Sequence, residues 1–199
     1  MDWFLLAALA IIPAWLLKAK EQRRRVTLLG SHLAKYQIER HMETLTQGYL
    51  RALGEADPQR SEPIWNMLRS TEQELASQFR RFAAEFSRAE EADTRVSRLP
   101  IYIPFATKLF PSFDMRQALA IHARGISQAI EDSGQPTAKA TAFTVSAELF
   151  LMQHTCHWFC KSKTVASARM LARHKTSYEQ LLEAVSPATR RAYAALTGQ

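Results

Sequence analysis

Fifteen consecutive residues, Trp3 to Leu17, carry no charge, and a basic collar of Lys18, Lys20, Arg23, Arg24 and Arg25 follows at once. A secretory signal puts its positive charges ahead of the apolar stretch, whereas here only Asp2 precedes it. That order is the one expected of an uncleaved single-pass anchor over residues 1–25, with the amino terminus outside and the body cytoplasmic. Trp3 and Trp15 stand near the two ends, where interfacial aromatics belong. The run covers only about 22 Å at helical rise, so snorkelling by Lys18 and Lys20 is needed to reach across a ~30 Å hydrocarbon core. Its borderline length leaves a buried core helix as the competing reading. A helix lying in the membrane surface is disfavoured, because the stretch has no polar face.

Beyond Arg25 the apolar positions recur at helical intervals over residues 26–199, predicting a cytoplasmic all-α bundle of about five helices. The first runs from Val26 to about Leu53, with a sideways step in its stripe between Tyr36 and Ile38. Gly54 and Pro58 stop it. The second begins at Ser61 with Pro63 in its first turn, and carries the seam Ile64, Leu68, Thr71, Leu75, Phe79, Phe82, Phe86. Its charges, Glu72 and Glu74 among them, read as a solvated face. A third spans about Met115 to Glu131, capped by Ser112 or Asp114 and ended by Gly134 and Pro136. The fourth, about Thr137 to Lys161, is apolar on nearly every side, which predicts the centre of a bundle. A second membrane span is its alternative, at the expense of placing Glu148, Gln153, His154 and His157 in lipid. A fifth runs from Ser162 or Thr164 to about Val185, and Ser186-Pro187 opens a last short helix.

Residues 93–113 interrupt the pattern. Pro100, Pro104 and Pro111 forbid a long helix, yet Ile101, Tyr102, Ile103, Phe105, Leu109 and Phe110 are too apolar for an ordinary surface loop. Two readings follow: a strap packed over the bundle, or a segment that docks onto a partner.

Composition changes little except through charge. With 199 residues, 47% hydrophobic and 23% charged, the chain has the make-up of a folded domain, not of a disordered or polytopic one. Two cysteines are too few for a disulfide framework. The net charge of +7 is uneven. Residues 136–199 hold eight basic and three acidic side chains, whereas residues 26–92 hold eight and ten. The basic run Lys161, Lys163, Arg169, Arg173, Lys175 contains no acid, which suits anionic lipid or nucleic acid. No aromatic residue interleaves its stretch from Thr164 to Ser177, so base stacking is not indicated.

The densest chemistry is His154, Cys156, His157 and Cys160. Cysteine and histidine three or four apart on a helix can share a zinc or bind haem iron. At 100° per residue His154 points about 120° away from Cys160, so the four cannot converge on one ion. The cysteines therefore read as core, and no metal or cofactor is assigned. No nucleophile elbow, phosphate-cradling glycine loop or zinc-protease motif appears, and no catalytic residue is assigned. Arginine outnumbers lysine 18 to 8, which fits a GC-rich bacterial genome. The function these features support is non-enzymatic: an anchored accessory, assembly or scaffold subunit of a bacterial inner-membrane complex. It would meet membrane lipid and other protein subunits, acting through helix–helix and apolar-loop contacts rather than on a small-molecule substrate. Two alternatives are a haem or metal redox protein using His122, His154 and His157, and a tethered binder of nucleic acid or anionic lipid through residues 161–175.

Overall fold

A computed structural model describes residues 2–131 and 137–198, without the side chains of residues 2–8 and 10. Ten helices and one two-stranded sheet make up the described residues. The order is α1 (Asp2–Leu33), α2 (Ile38–Gly54), α3 (Pro58–Phe86), α4 (Glu91–Thr94), β1 (Arg95–Ser97), α5 (Ala106–Leu109), β2 (Ser112–Asp114), α6 (Met115–Glu131), α7 (Ala138–Cys160), α8 (Lys163–His174), α9 (Tyr178–Ala184) and α10 (Pro187–Thr197).

The all-α reading holds, but the count of about five helices and the membrane anchor do not. Among the described residues no helix is long and apolar enough to cross a membrane. This overturns the single-pass anchor, the second-span alternative for α7 and the inner-membrane topology with the amino terminus outside. The reason lies in how the body uses the residues that were to lengthen the apolar run. The Lys18 ammonium sits 6.0 Å from the centre of the Tyr102 ring. Glu21 accepts a hydrogen bond from the Tyr102 hydroxyl, and Gln22 accepts one from Lys161 at 3.0 Å. Arg25 donates to the carbonyls of Phe159 and Arg95, both at 3.1 Å, and pairs with Glu21 at 2.6 Å. Arg24 pairs with Asp93 at 2.6 Å. The collar is thus largely structural. α1 itself runs unbroken from Asp2 to Leu33. Trp3, as a side chain, lies outside the described residues, as do Gly134 and Pro136.

The expected helix over 26–53 is two helices, broken by the turn at 34–37 where the apolar stripe steps sideways. α3 starts three residues earlier than expected, because Asp57 caps it by accepting from the Gln59 amide at 2.9 Å and Pro58 takes the first helical position. Its seam of Leu68, Leu75, Phe79, Phe82 and Phe86 is buried as expected, the rings of Phe79, Phe82 and Phe86 meeting at 5.5 and 6.0 Å. Glu72 does not stand in solvent. It is buried, accepting from the Tyr49 hydroxyl at 2.5 Å.

α7 is the central element. It packs against α1, α2, α6, α8 and α9, so most of its apolar surface is covered, with Phe143 near its start left exposed. Glu148, on α7, is fully buried and makes no salt bridge among the described residues. Its Oε1 accepts from the Ser186 amide at 3.1 Å, and burial raises its pKa. Gly125 on α6 makes this possible: a Cβ there would lie 2.5 Å from Glu148 Oε2 and 2.3 Å from Thr189 Oγ1. Only glycine lets α6, α7 and α10 approach so closely.

Candidate docking surface

The connector at 93–113 is a strap with a fixed base and an exposed tip. β1 and β2 pair antiparallel, Arg95 opposite Asp114, Val96 opposite Phe113 and Ser97 opposite Ser112. Each strand is too short for a period-two signal, and Val96 and Phe113 share the buried face. The Arg98 amide continues the ladder to the Pro111 carbonyl at 3.0 Å. Trp158 donates its indole N–H to the Ser97 carbonyl at 3.1 Å, and Thr164 donates its amide and hydroxyl to Pro100 O at 3.0 and 2.8 Å. Arg98 reaches the Leu196 carbonyl at 2.7 Å, tying the strap to the end of α10.

Above that base the apolar side chains turn outward. Ile101, Phe105 and Leu109 are 57, 56 and 73% exposed, and Ile103 and Phe110 are exposed as well. Tyr102 alone of the six turns inward, to Glu21 on α1; burial, then that carboxylate, push its phenol pKa up. The base of the connector is therefore packed as a strap on the bundle, whereas its tip is left exposed. α1 continues the same surface. Leu9, Ile11, Ile12, Trp15, Leu16 and Leu17 are all exposed, Trp15 by 63%. Leu17 and Lys20 face Pro104, Phe105 and Lys108 across a groove of about 320 Å³. Lys20, Arg23 and Lys108 are exposed cations on or beside this apolar area.

Phe105 shows that the tip is held outward against a cost. Its φ is +61°, in the left-handed region that bulky residues avoid, and its side chain gains little burial there. Such a conformation costs on the order of 1–3 kcal/mol. Phe105→Gly is expected to raise stability by about 1 kcal/mol, read as a higher urea midpoint, while weakening any contact made by the tip. A lower midpoint would show that Phe105 contributes packing instead.

The histidines and cysteines sit in or near the core. His122 Nε2 meets Thr155 Oγ1 at 2.9 Å, Thr155 meets the Tyr193 hydroxyl at 2.8 Å, and Thr155 donates to Leu151 O. His122 therefore carries its proton on Nε2, leaving Nδ1 buried without a partner among the described residues. His154 Nε2 meets Ser167 Oγ at 3.0 Å, its ring stacked on Tyr178 at 4.4 Å. Burial pushes both imidazoles down to about 3. His157 faces elsewhere, toward Arg169 on α8. Among the described residues no group of three or more His, Cys, Asp or Glu is placed to hold a metal. Cys156 donates to the Met152 sulfur at 3.7 Å, and burial raises both thiols, Cys160 to about 11.

The basic run disperses in space. Lys161 goes to Gln22, and Lys163 lies over the rings of Tyr178 and Trp158 at 4.6 and 5.4 Å. Lys175 ends α8 in a left-handed conformation, and only Arg169 and Arg173 remain together on the surface of α8. Sequence reasoning missed the pairing of Tyr102 with Glu21, which no local pattern encodes. It also missed the break between α8 and α9, although Ser177 and Gln180 form a capping box with the S-x-x-Q spacing. No protein family, curated protein or solved structure matches this chain.

Proposed function

We propose that this protein is a non-enzymatic accessory or assembly subunit of a larger complex, docking through the tip of the strap and the adjoining apolar length of α1. One observation carries the reading: five large apolar side chains of the strap and six of α1 face solvent, and Phe105 of the strap and Leu17 of α1 meet across one groove. Folded monomers rarely leave so many large apolar side chains exposed near one another, and such surfaces serve as interaction sites. The exposed cations Lys20, Arg23 and Lys108 suit a partner subunit whose apolar groove is edged by carboxylates.

The test is Phe105→Asp with Leu109→Asp in the full chain. Both side chains are mostly exposed, so the melting temperature should stay within a few degrees of wild type. A protein partner retained by wild type in a mild pull-down should be lost from the double variant, and rising salt should weaken the wild-type complex. A fall in melting temperature with the partner retained would make the tip a packing element. Variant-sensitive binding to anionic vesicles in place of any protein would reassign the surface to lipid.

A further inference from the structure

A second concave site lies on the opposite use of the carboxy-terminal charge excess, in a pocket of about 450 Å³ between α7 and α8. Gln153 and His157, four apart on α7, form one wall; Arg169, Arg173 and His174, on α8, form the other. Every polar side chain lining it is neutral or cationic, and no carboxylate is among them.

The donors are already oriented. His157 Nδ1 accepts from Arg169 at 3.2 Å, so the ring carries its proton on Nε2 and can donate from there. His174 Nε2 meets the Gln153 carbonyl oxygen at 3.2 Å, and its ring stacks on Phe150 at 4.0 Å. Those contacts hold the histidine and the glutamine amide in place. Arg173 has no acceptor and no acidic partner among the described residues, and Arg169 has only the imidazole. Burial, then the two arginines, lower the pKa of His157; burial, then Arg173, lower that of His174. The arginine contributions add to the effect of burial, with the sign that a cationic neighbourhood gives.

We propose that this pocket binds a phosphoryl group, with Arg169 and Arg173 as the charged clamp and His157 and Gln153 as additional donors. A guanidinium pair four residues apart on one helix face presents parallel N–H groups that match phosphate oxygens two at a time. The site is independent of the apolar docking surface and places a ligand where that reading assigns none. Two sources offer this chemistry, a soluble phosphomonoester and a phosphatidate headgroup.

The experiment titrates the full chain with inorganic phosphate at low ionic strength, following binding by calorimetry and the His157 and His174 ring signals by NMR. Saturable one-to-one binding that moves both ring signals is expected. Arg169→Gln with Arg173→Gln should weaken it about tenfold or more without lowering the melting temperature, since both side chains are exposed. Arg51→Gln with Arg88→Gln removes the same charge from exposed positions elsewhere and should change little. His157→Ala, as a second variant, should weaken binding without abolishing it. In the second arm, vesicles of phosphatidylcholine with and without phosphatidate replace phosphate. Clamp-dependent binding of phosphatidate vesicles identifies the headgroup as the source; phosphate binding without vesicle binding identifies a soluble ligand. Absence of saturable phosphate binding, or equal losses in the clamp and control variants, would overturn the proposal. Salt-sensitive binding of duplex DNA with no response to phosphate would overturn it too, as general attraction to polyanions.

Discussion

Acidification from pH 7 to pH 5 should strip the fold of about 4 kcal/mol, because two histidines must be buried uncharged. Burial lowers His122 and His154 to about 3 in the folded chain, against about 6.5 in an unfolded one. Between those values the unfolded state binds more protons, so each histidine contributes stability that is full above pH 6.5 and is lost as the pH falls toward 3. The loss is about 1.4 kcal/mol per pH unit per histidine. Glu148 works the other way. Its raised pKa makes the folded state hold the extra proton, which returns part of the loss on acidification. Urea unfolding at pH 7, 6 and 5 measures the slope. His122→Leu removes one titrating ring and should roughly halve it, leaving Thr155 bonded to Tyr193 and Leu151. A flat profile between pH 7 and 5 would show that water reaches these rings.

Trp158→Ala is expected to be the most damaging single substitution, at about 3–5 kcal/mol. Trp158 is 2% exposed, meets Phe113 edge-on at 5.0 Å, holds the Ser97 carbonyl, and supports Lys163 on its face. The loss therefore opens a cavity and releases the base of the strap together. Limited proteolysis should show cleavage within residues 98–111 appearing in the variant before the bundle unfolds. Trp158→Phe keeps the ring contact and loses the N–H bond, so about 1–2 kcal/mol is expected. A cost below 1 kcal/mol for the alanine variant would mean that the strap is held by its other contacts.

The helices were legible because their faces are buried against one another, and burial writes a 3.6-residue period into sequence. The seam of α3 and the all-round apolarity of α7 both follow from this. The sideways step at Tyr36 to Ile38 was visible as a pattern and marks the real turn. The short pieces were not legible: β1, β2, α4 and α5 span three or four residues each, below any period. The amino-terminal error was of another kind. Hydropathy and charge order describe what a segment would do alone. Whether Lys18, Glu21 and Arg25 belong to a lipid boundary or to the body is decided by Tyr102, Arg95 and Phe159, between 70 and 134 residues away. The phosphoryl pocket was half legible. Arg169 and Arg173 share a helix face by spacing, but the meeting with Gln153 and His157 depends on how α8 folds back along α7.

The unbroken course of α1 has a mechanical consequence. Leu9 and the core residue Leu29 belong to one helix and stand about 30 Å apart along its axis. The apolar end is therefore a lever arm, and whatever grips it also sets the angle at which the bundle stands. One residue inserted between Leu17 and Lys18 would turn that end by about 100° and shift it by about 1.5 Å relative to the strap, replacing the side chain that meets Phe105 while leaving the bundle intact.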